Sequence, residues 1–459
     1  MSGRQPSLFK YLGVTDFEKK IQAQFQRQKI IDQTVVVALS GGLDSVALLD
    51  LVSRLSVPLN LKVYAAHVNH NLHVNSTSWV SFCSQLCAEY DIPLEIYDVN
   101  VSSNSSLGVE AEARQLRYQA LLSHAASVLL LAHHQDDQIE TFFLQALRGS
   151  GADGLSGMSI ARKDTASGKT IFRPLLNFEQ KTVREYVVNR NLTWIEDPSN
   201  RDSDFSRNFL RNELLPLIKS RFPGSRGSIL NVVENLKDVG TLVQDLASHD
   251  IDRCISKNGG FKLCRLIELS EVRAINVIRE MCRRHGAVAP GRSWLTEVLR
   301  QCFFAKSTAC VSVDSKEMSV KRYREHVYVL KKIAEIEKGW CDSWFGKSTV
   351  SLPNDLGYLE FKESLGEGIP KKLIGPEGLK IALGAGSKRF SLGQKRPRRS
   401  LRKIWQANGV PPWERSKTPV VFFGNEALFA GNIGLSGCYF AEENQPGITI
   451  KWHQGTSTG

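Results

Sequence analysis

The sequence predicts an α/β fold, with an N-terminal domain on a parallel sheet, then a mixed, mainly helical domain, then a small β-rich C-terminal domain. Three observations predict it. The first half of the 459-residue chain alternates strand-like and helix-like stretches, a mainly helical pattern follows, and the last hundred or so residues form short runs separated by Gly and Pro. Alternating strands and helices are typical of a parallel sheet with helices on both faces.

Each predicted strand of the first half is followed by a helix. The strands lie at 34–39, 61–67, 94–99 and 128–132, and the helices at about 44–55, 77–91, 109–125 and 136–147. In such sheets ligands bind beyond the carboxyl ends of the strands. Polar clusters at 40–45, 67–70 and 133–137 follow three of these strands, so we expect them to meet in one crevice.

The rest of the chain divides by composition. Residues 153–170 are rich in Gly and Ser with mixed charges and are predicted to form a loop, and helical patterning returns at 179–191 and from Phe205. The segment 246–335 begins helical and ends in short strands. We therefore predict domains at 1–217, 246–338 and 339–459, with a linker helix at 218–245.

Composition excludes several classes of protein. No apolar run approaches the roughly 20 residues of a membrane span, and the N-terminus lacks the apolar core of a signal peptide. Nine cysteines without a C-x-x-C pair indicate reduced thiols rather than a disulfide scaffold or a metal cluster. We expect a cytoplasmic protein, and the net charge of +12 weakly favours a polyanionic partner.

The stretch "VVVALSGGLDSVALLD" (35–50) joins a strand to a helix through a Gly-rich turn. Such a turn is a ready anion site, because unpaired backbone N–H groups point outward at the helix start. Gly41 and Gly42 allow close approach, and the Ser40 and Ser45 hydroxyls can donate to phosphate. Asp44 would hold Mg²⁺ or cap the helix; the alternative is a tight, capped turn without a ligand.

An acidic cluster opens the helix predicted at 136–147. Asp136 and Glu140 are four residues apart and are expected to share a helix face, with Asp137 beside them. Three carboxylates near a phosphate loop could bind Mg²⁺ or a cationic substrate, and could deprotonate an amine. The alternative is a solvated first helical turn.

A basic run lies near the C-terminus. Between 388 and 403, eight residues are Lys or Arg and none is acidic. This density can bind a nucleic-acid backbone by releasing counterions. The alternative is a flexible stretch that only improves solubility.

Ser40-Gly41-Gly42-Leu43-Asp44-Ser45 resembles the SGGxDS loop of the PP-loop ATP pyrophosphatases, which cleave ATP between its α and β phosphates. Within that superfamily, "AHHQDDQIET" (132–141) and "RGSG" (148–151) resemble the tRNA(Ile)-lysidine synthetases. Segments 110–121, 194–218 and 399–434 are also similar to that family. The resemblance covers essentially the whole chain and is weakest in 246–335.

The resemblance implies a Rossmann-like PP-loop catalytic domain at 1–217 and tRNA-binding domains at 246–338 and 339–459. The implied activity joins free L-lysine to C2 of the wobble cytidine of the CAU-anticodon isoleucine tRNA. ATP adenylates the tRNA first, and AMP and pyrophosphate are released. Two alternatives stay open: another PP-loop enzyme acting on a different base or a small molecule, and a non-catalytic RNA-binding protein with a relic loop. The oligomeric state is open, a homodimer being one alternative.

The resemblance also implies roles for individual residues. The predicted ATP-binding residues are Ser40, Gly41, Gly42, Leu43, Asp44, Ser45 and His67. The predicted catalytic residues are Asp44, Asp137, Glu140 and Arg207, the predicted Mg²⁺ ligands are Asp44 and Asp136, and the predicted tRNA contacts are Arg398, Arg399, Arg402 and Lys403. A salt bridge to Asp202 or Asp204 is the alternative for Arg207.

Overall fold

The computed structural model of the chain describes residues 15–69, 76–100, 109–164, 167–256, 259–287, 290–306, 309–332, 336–337, 339–393 and 396–455. His70 and Lys395, which belong to motifs named above, lie outside these ranges. The chain forms two compact units, Met1–Gln244 and Asp245–Gly459.

The first unit is built on a six-stranded sheet. Its order is β3-β2-β1-β4-β6-β5, and every neighbouring pair is parallel except the last. The strands are β1 (Thr34–Ala38), β2 (Lys62–Asn69), β3 (Leu94–Asp98), β4 (Val128–Leu130), β5 (Ala161–Lys163) and β6 (Thr170–Phe172). The predicted parallel sheet is thereby confirmed.

Helices cover both faces of this sheet. Val35 and Val37 of β1 pack into one buried cluster and Val36 into another, so both faces of the strand are apolar. The helices of this part of the chain are α1 (Asp16–Arg27), α2 (Leu43–Leu55), α3 (Ser76–Glu89), α4 (Val109–Ser123), α5 (Gln135–Leu147), α6 (Ala152–Leu155), α7 (Gln180–Asn189), α8 (Ser206–Phe209), α9 (Leu215–Arg221) and α10 (Ser225–Cys254).

The loop predicted at 153–170 is wrong in part. Most of α6, all of β5 and the first residue of β6 fall within it. Strand β5 pairs with β6 in a hairpin, where the Asp164 carboxylate accepts the Ser167 backbone N–H at 2.9 Å. These strands are three residues long and β5 is partly charged, so their composition resembles a loop; pairing with the sheet stabilises them.

The second unit begins with helices packed on an antiparallel sheet, ordered β7-β10-β9-β8. Its buried core joins Ala274 and Leu295 of the helices to Val320 and Val329 of the strands. The elements are β7 (Phe261–Lys262), α11 (Leu263–Ile267), α12 (Glu271–Arg284), α13 (Arg292–Phe304), β8 (Val311–Asp314), β9 (Met318–Tyr323) and β10 (His326–Lys331).

The C-terminal part of this unit is β-rich, as predicted. Two antiparallel sheets, β11-β15-β18-β19-β20 and β12-β13-β21-β14, share a core that includes Phe361 and Val421. The elements are β11 (Cys341–Trp344), β12 (Thr349–Ser351), β13 (Tyr358–Leu365), β14 (Ile369–Pro370), β15 (Leu379–Leu383), β16 (Arg389–Phe390), β17 (Arg399–Ser400), α14 (Leu401–Ala407), α15 (Pro412–Arg415), β18 (Pro419–Phe423), β19 (Glu426–Ala430), β20 (Gly434–Leu435) and β21 (Pro446–His453).

Two further expectations concern the cysteines and the membrane. All nine cysteines are free, five of them buried. Among the described residues, no helix has the length and apolar character needed to cross a membrane. The domain boundaries proposed at 217, 245 and 338 stay a prediction.

Candidate active site

The turn between β1 and α2 requires glycine at position 41. Gly41 has a φ of +83°, a conformation that L side chains rarely adopt. A Cβ there would also lie 3.0 Å from Cδ1 of Ile195 and 3.3 Å from Sγ of Cys83. The Ile195 backbone N–H donates to the Gly41 carbonyl at 2.9 Å, so a distant segment holds the turn in place.

Two serine hydroxyls shape the inside of the turn. The Ser40 N–H donates to Oγ of Ser45 at 3.2 Å, and the two Oγ atoms lie 3.1 Å apart. The Gly42 N–H donates to Oγ of Ser40 at 3.3 Å, and Oγ of Ser45 donates to the Gly42 carbonyl at 2.9 Å. Gly42 is the N-cap of α2 and has no side chain to cap the helix, which leaves the helix start suited to an anion.

The next two residues face different surroundings. Leu43 is buried in the core under the sheet, so any contact it makes with a nucleotide would come from its backbone. Asp44 is partly exposed, and its Oδ1 is buried without a hydrogen-bond partner. A carboxylate oxygen in that position lacks a donor or a cation, and it is the one feature of the turn that suits Mg²⁺.

His134, at the start of α5, lies among three carboxylates. Its Nε2 is 3.6 Å from Oδ2 of Asp44 and 3.5 Å from Oδ2 of Asp137, and its Nδ1 is 3.5 Å from Oδ2 of Asp136. Burial opposes a charge on the ring, but the hydrogen bond to Asp44 and the charges of Asp137 and Asp136 outweigh it and raise the pKa of His134. The side chain thereby connects the turn to the acidic cluster.

The acidic residues of α5 have different partners. Asp136 accepts hydrogen bonds from the Arg226 guanidinium and from the Gln180 N–H at 3.0 Å. Glu140, which lies four residues after Asp136 in α5, shares its arginine partners with Asp137. Spacings of three and four residues both fall on one helix face, so the spacing alone could not choose between the two partners.

Two arginines, Arg207 and Arg211, each donate hydrogen bonds to both Asp137 and Glu140. Nε of Arg207 lies 2.6 Å from Oε2 of Glu140, and Nε of Arg211 lies 2.6 Å from Oε1. Their Nη2 atoms lie 3.1 Å and 3.5 Å from Oδ1 of Asp137. Burial would raise the pKa of Asp137, but the charges of His134 and Arg207 outweigh it and hold that pKa below its ordinary value.

Arg207 therefore contacts neither of the carboxylates first considered for it, Asp202 and Asp204. Arg211 and Arg226 were missed by the sequence analysis. Arg211 follows Arg207 by four residues, a spacing that was available as a signal. For Arg226 the sequence offered no signal, because its partner Asp136 lies 90 residues earlier.

His67 lies beneath the turn rather than in the acidic cluster. Its Nδ1 is 2.8 Å from the carbonyl of Leu39, the residue that precedes the turn. Burial lowers the pKa of His67, so the ring is neutral and Nδ1 carries the proton that it donates. The predicted role of His67 in nucleotide binding stays a prediction.

His133 belongs to the polar cluster expected in the crevice, but no individual role was predicted for it. Burial lowers its pKa to about 3, and its Nδ1 accepts a hydrogen bond from Nε of Arg173 at 3.3 Å. The ring is therefore neutral, whereas the surrounding carboxylates raise the pKa of its neighbour His134.

The basic residues near the C-terminus lie in the second unit. Arg399 is in β17, and Arg402 and Lys403 are in the first turn of α14; all three are exposed. Arg398 is engaged by the Glu426 carboxylate at 2.7 Å and by Oη of Tyr439 at 3.2 Å. The four predicted tRNA contacts are thus three exposed cations and one member of an ion pair.

The residues that the structure describes contain no ready-made metal cluster. Within the ranges that it describes, no group of three or more His, Cys, Asp and Glu side chains is arranged to hold a metal ion. Asp136 is held by Arg226 and Gln180, so the fit to Mg²⁺ depends on Asp44.

Three domain models match separate parts of the chain. A PP-loop domain matches residues 14–218, a TilS substrate binding domain matches 261–328, and a TilS substrate C-terminal domain matches 379–452. The matched ranges follow the order of the parallel-sheet, mixed and β-rich parts of the fold.

The chain is also similar to curated proteins named tRNA(Ile)-lysidine synthase. One from Haemophilus influenzae (strain PittGG) is 35% identical over 426 residues, covering 90% of this chain and 96% of the relative. One from Nitrosomonas europaea is 33% identical over 421 residues, covering 91% of this chain and 92% of the relative. One from Yersinia pseudotuberculosis (serotype O:1b) is 32% identical over 441 residues, covering 93% and 97%.

Proposed function

The chain belongs to the tRNA(Ile)-lysidine synthase family, and from this premise we propose how its residues divide the reaction. It is an ATP-dependent ligase that forms lysidine on isoleucine tRNA. We propose further that the enzyme joins free L-lysine to C2 of the wobble cytidine in the CAU anticodon, and that it does so in the cytoplasm. A relic loop or a different PP-loop activity is disfavoured, because the similarity extends over all three parts of the chain.

The turn at 40–45 holds the pyrophosphate that leaves in the first step. The C2 oxygen of cytidine attacks the α-phosphorus of ATP, the bond between the α-phosphorus and its bridging oxygen breaks, and pyrophosphate takes the electron pair. The Ser40 hydroxyl and the N–H groups at the start of α2 would bind it, and the Ser45 hydroxyl, which donates to the Gly42 carbonyl, would hold the turn in shape around it. Adenylation is needed because an amide-like oxygen is a poor leaving group until it carries a phosphoryl group.

Asp44 is the residue that would hold Mg²⁺, since its Oδ1 is buried without a partner. A bound Mg²⁺ would neutralise phosphate charge. Asp136 is less suited to hold Mg²⁺, because both of its carboxylate oxygens already accept hydrogen bonds from Arg226 and the Gln180 N–H.

Asp137 and Glu140 receive the lysine side chain in the second step. One carboxylate of the pair takes a proton from the ε-ammonium, and the freed amine nitrogen attacks C2. A C–N bond forms, the bond from C2 to the adenylated oxygen breaks, and AMP leaves with that oxygen and its electron pair. Arg207 orients the two carboxylates through its contacts at 2.6 Å and 3.1 Å.

One observation supports assigning the two steps to the turn and to the carboxylate pair: His134 contacts both Asp44 and Asp137. The phosphate turn and the amine-binding pair are therefore neighbours in one site, as a two-step transfer requires. The exposed Arg399, Arg402 and Lys403 would bind the tRNA backbone at a second place on the chain.

The test follows AMP and lysidine separately. Purified protein is incubated with a tRNA transcript and ATP labelled at the α-phosphate, with and without lysine, and the nucleosides are analysed by mass spectrometry. We expect adenylated tRNA without lysine, and lysidine with AMP when lysine is added. Asp137→Asn and Glu140→Gln should impair the lysine-dependent step, whereas Glu185→Gln, on the exposed face of α7, should not. A chain that makes no AMP under any condition would contradict the proposal.

A further inference from the structure

The carboxylates of Asp137 and Glu140 already have hydrogen-bond donors on every oxygen. Both oxygens of Glu140 accept from guanidinium Nε atoms at 2.6 Å, Oε1 from Arg211 and Oε2 from Arg207. Asp137 accepts from both arginines through Oδ1 and from the His134 backbone N–H through Oδ2, the latter at 2.9 Å. All four carboxylate oxygens therefore have a donor, and the two acids and two arginines sum to zero charge.

A cationic substrate cannot join this arrangement without displacing a guanidinium. Adding an ammonium to the closed cluster would leave a positive charge without a carboxylate in a largely buried site, which is costly. Losing one guanidinium would free carboxylate oxygens to accept from the ammonium.

The two arginines differ in exposure and in their contact with Asp137. The Arg207 side chain is 20% exposed, and its Nη2 lies 3.1 Å from Oδ1 of Asp137. The Arg211 side chain is 36% exposed, and its Nη2 lies 3.5 Å from Oδ1 of Asp137, while the same Nη2 also donates to Oε2 of Glu140 at 3.1 Å. Arg211 also lies in a single π-helical turn, Leu210–Leu214, a rare form that is often found at functional sites. Arg211 is therefore the arginine whose guanidinium a substrate would displace from the carboxylates.

We propose that, in the free enzyme, the Arg211 guanidinium occupies the position in which the lysine ε-ammonium binds. The substrate displaces the guanidinium when it enters. The exchange replaces one positive charge by another, so the cluster stays neutral while Arg207 keeps both carboxylates oriented. This inference rests on the proposed function, because it assigns the entering cation as lysine.

The experiment compares three proteins: wild type, Arg211→Ala and the matched control Arg221→Ala. Arg221 ends α9 and lies over the ring of Phe222, away from the acidic cluster. Lysidine formation is measured against lysine and against ATP. Because the Arg211→Ala variant has no guanidinium for lysine to displace, its KM for lysine should fall relative to its KM for ATP. A drop of roughly 10- to 100-fold corresponds to a lost charged hydrogen bond of about 1.5–3 kcal/mol. The control should not change.

Added guanidinium ion separates this role from a structural one. At low millimolar concentration it should compete with lysine in Arg211→Ala and raise the KM again, with no such effect in wild type. If Arg211 only neutralises buried charge, the variant should instead bind lysine less well and regain activity when guanidinium is added. That result, or an unchanged KM for lysine, would overturn the inference.

A second variant and the activity of the wild-type protein make the result interpretable. If Arg211→Ala lacks a cooperative thermal transition, Arg211→Gln is used, and a smaller fall in the KM for lysine is expected. A wild-type protein that forms no lysidine refutes the proposed function itself, whereas an active wild type with an unchanged or raised KM in the variant refutes only the role of Arg211.

Discussion

Nε2 of His134 lies 3.6 Å from Oδ2 of Asp44, so the start of α5 contacts the start of α2. Both helices begin at the carboxyl end of a strand, β4 and β1, and these strands are neighbours in the sheet. This is the edge at which parallel sheets bind ligands. The contact makes one site of a turn and an acidic cluster that lie far apart in the sequence.

The turn can be tested through a single hydroxyl. Ser40→Ala should slow pyrophosphate and AMP formation roughly 10- to 100-fold, because a hydrogen bond to a charged phosphate contributes about 1.5–3 kcal/mol. Ser81→Ala removes a hydroxyl that donates to a carbonyl on the surface of α3 and serves as the control. Wild-type rates in the Ser40 variant would remove the turn from the ATP site.

A buried ion pair ties α2 to α7 behind the turn. Asp50 is fully buried and accepts hydrogen bonds from Arg190 and from the hydroxyls of Tyr90 and Tyr186. Arg190→Ala should lower the free energy of unfolding by roughly 3–5 kcal/mol, since it leaves a buried carboxylate without its cation. Chemical denaturation measures the change.

The matched control for this pair lies on the same helix, α7. Lys181 and Glu185 form an exposed pair, and Lys181→Ala should change the free energy of unfolding by less than about 1 kcal/mol. Equal effects of the two substitutions would show that Arg190 contributes no more than a surface charge.

The basic residues predict a change in the salt dependence of tRNA binding. Replacing Arg399, Arg402 and Lys403 with Ala should weaken binding and flatten the plot of log affinity against log salt. Each lost phosphate contact should reduce the slope by about 0.9 or less. Arg398 is left unchanged, because it pairs with Glu426.

A variant of equal charge controls for net electrostatics. Lys19, Lys20 and Arg27 are exposed on α1, and their replacement removes the same number of positive charges. If both triple variants shift the slope equally, the basic run acts only through the net charge of the chain.

Glu414 gives a prediction for pH. Burial raises the pKa of Glu414, against the opposing charges of Lys417 and Lys321. A carboxyl with a raised pKa in the folded state stabilises the fold when protonated, and that contribution is lost as the pH rises through the folded pKa. Glu414→Gln should therefore raise the melting temperature at pH 7, and the gain should shrink towards pH 4. A variant that is less stable than wild type at pH 7 would contradict this assignment.

The α/β fold was predictable because its signal is local. Val35, Val36 and Val37 are buried on alternating faces, and such a run beside helical periodicity indicates a strand covered on both sides. Strand β5 was missed because pairing rather than composition stabilises it. The turn at 40–45 was recognisable because its sequence signature lies in six consecutive residues.

The arginines of the site were harder to predict. Arg207 and Arg211 reach Glu140 across 67 and 71 residues, and no local pattern specifies which carboxylate a distant arginine will contact. The division between Asp136 and Asp137 has the same origin. Arg226 contacts Asp136 and Arg207 contacts Asp137. The spacing of the acidic residues within α5 carries no information about these distant arginines.

The hydrogen bond from Ile195 to Gly41 has a consequence for synthesis of the chain on the ribosome. The turn emerges early, but the backbone that holds it is made some 150 residues later. A nascent or truncated chain that ends before residue 195 therefore contains the complete SGGLDS sequence without the contact that fixes its shape. Nucleotide binding would mark the moment at which the first domain has been synthesised almost to its end.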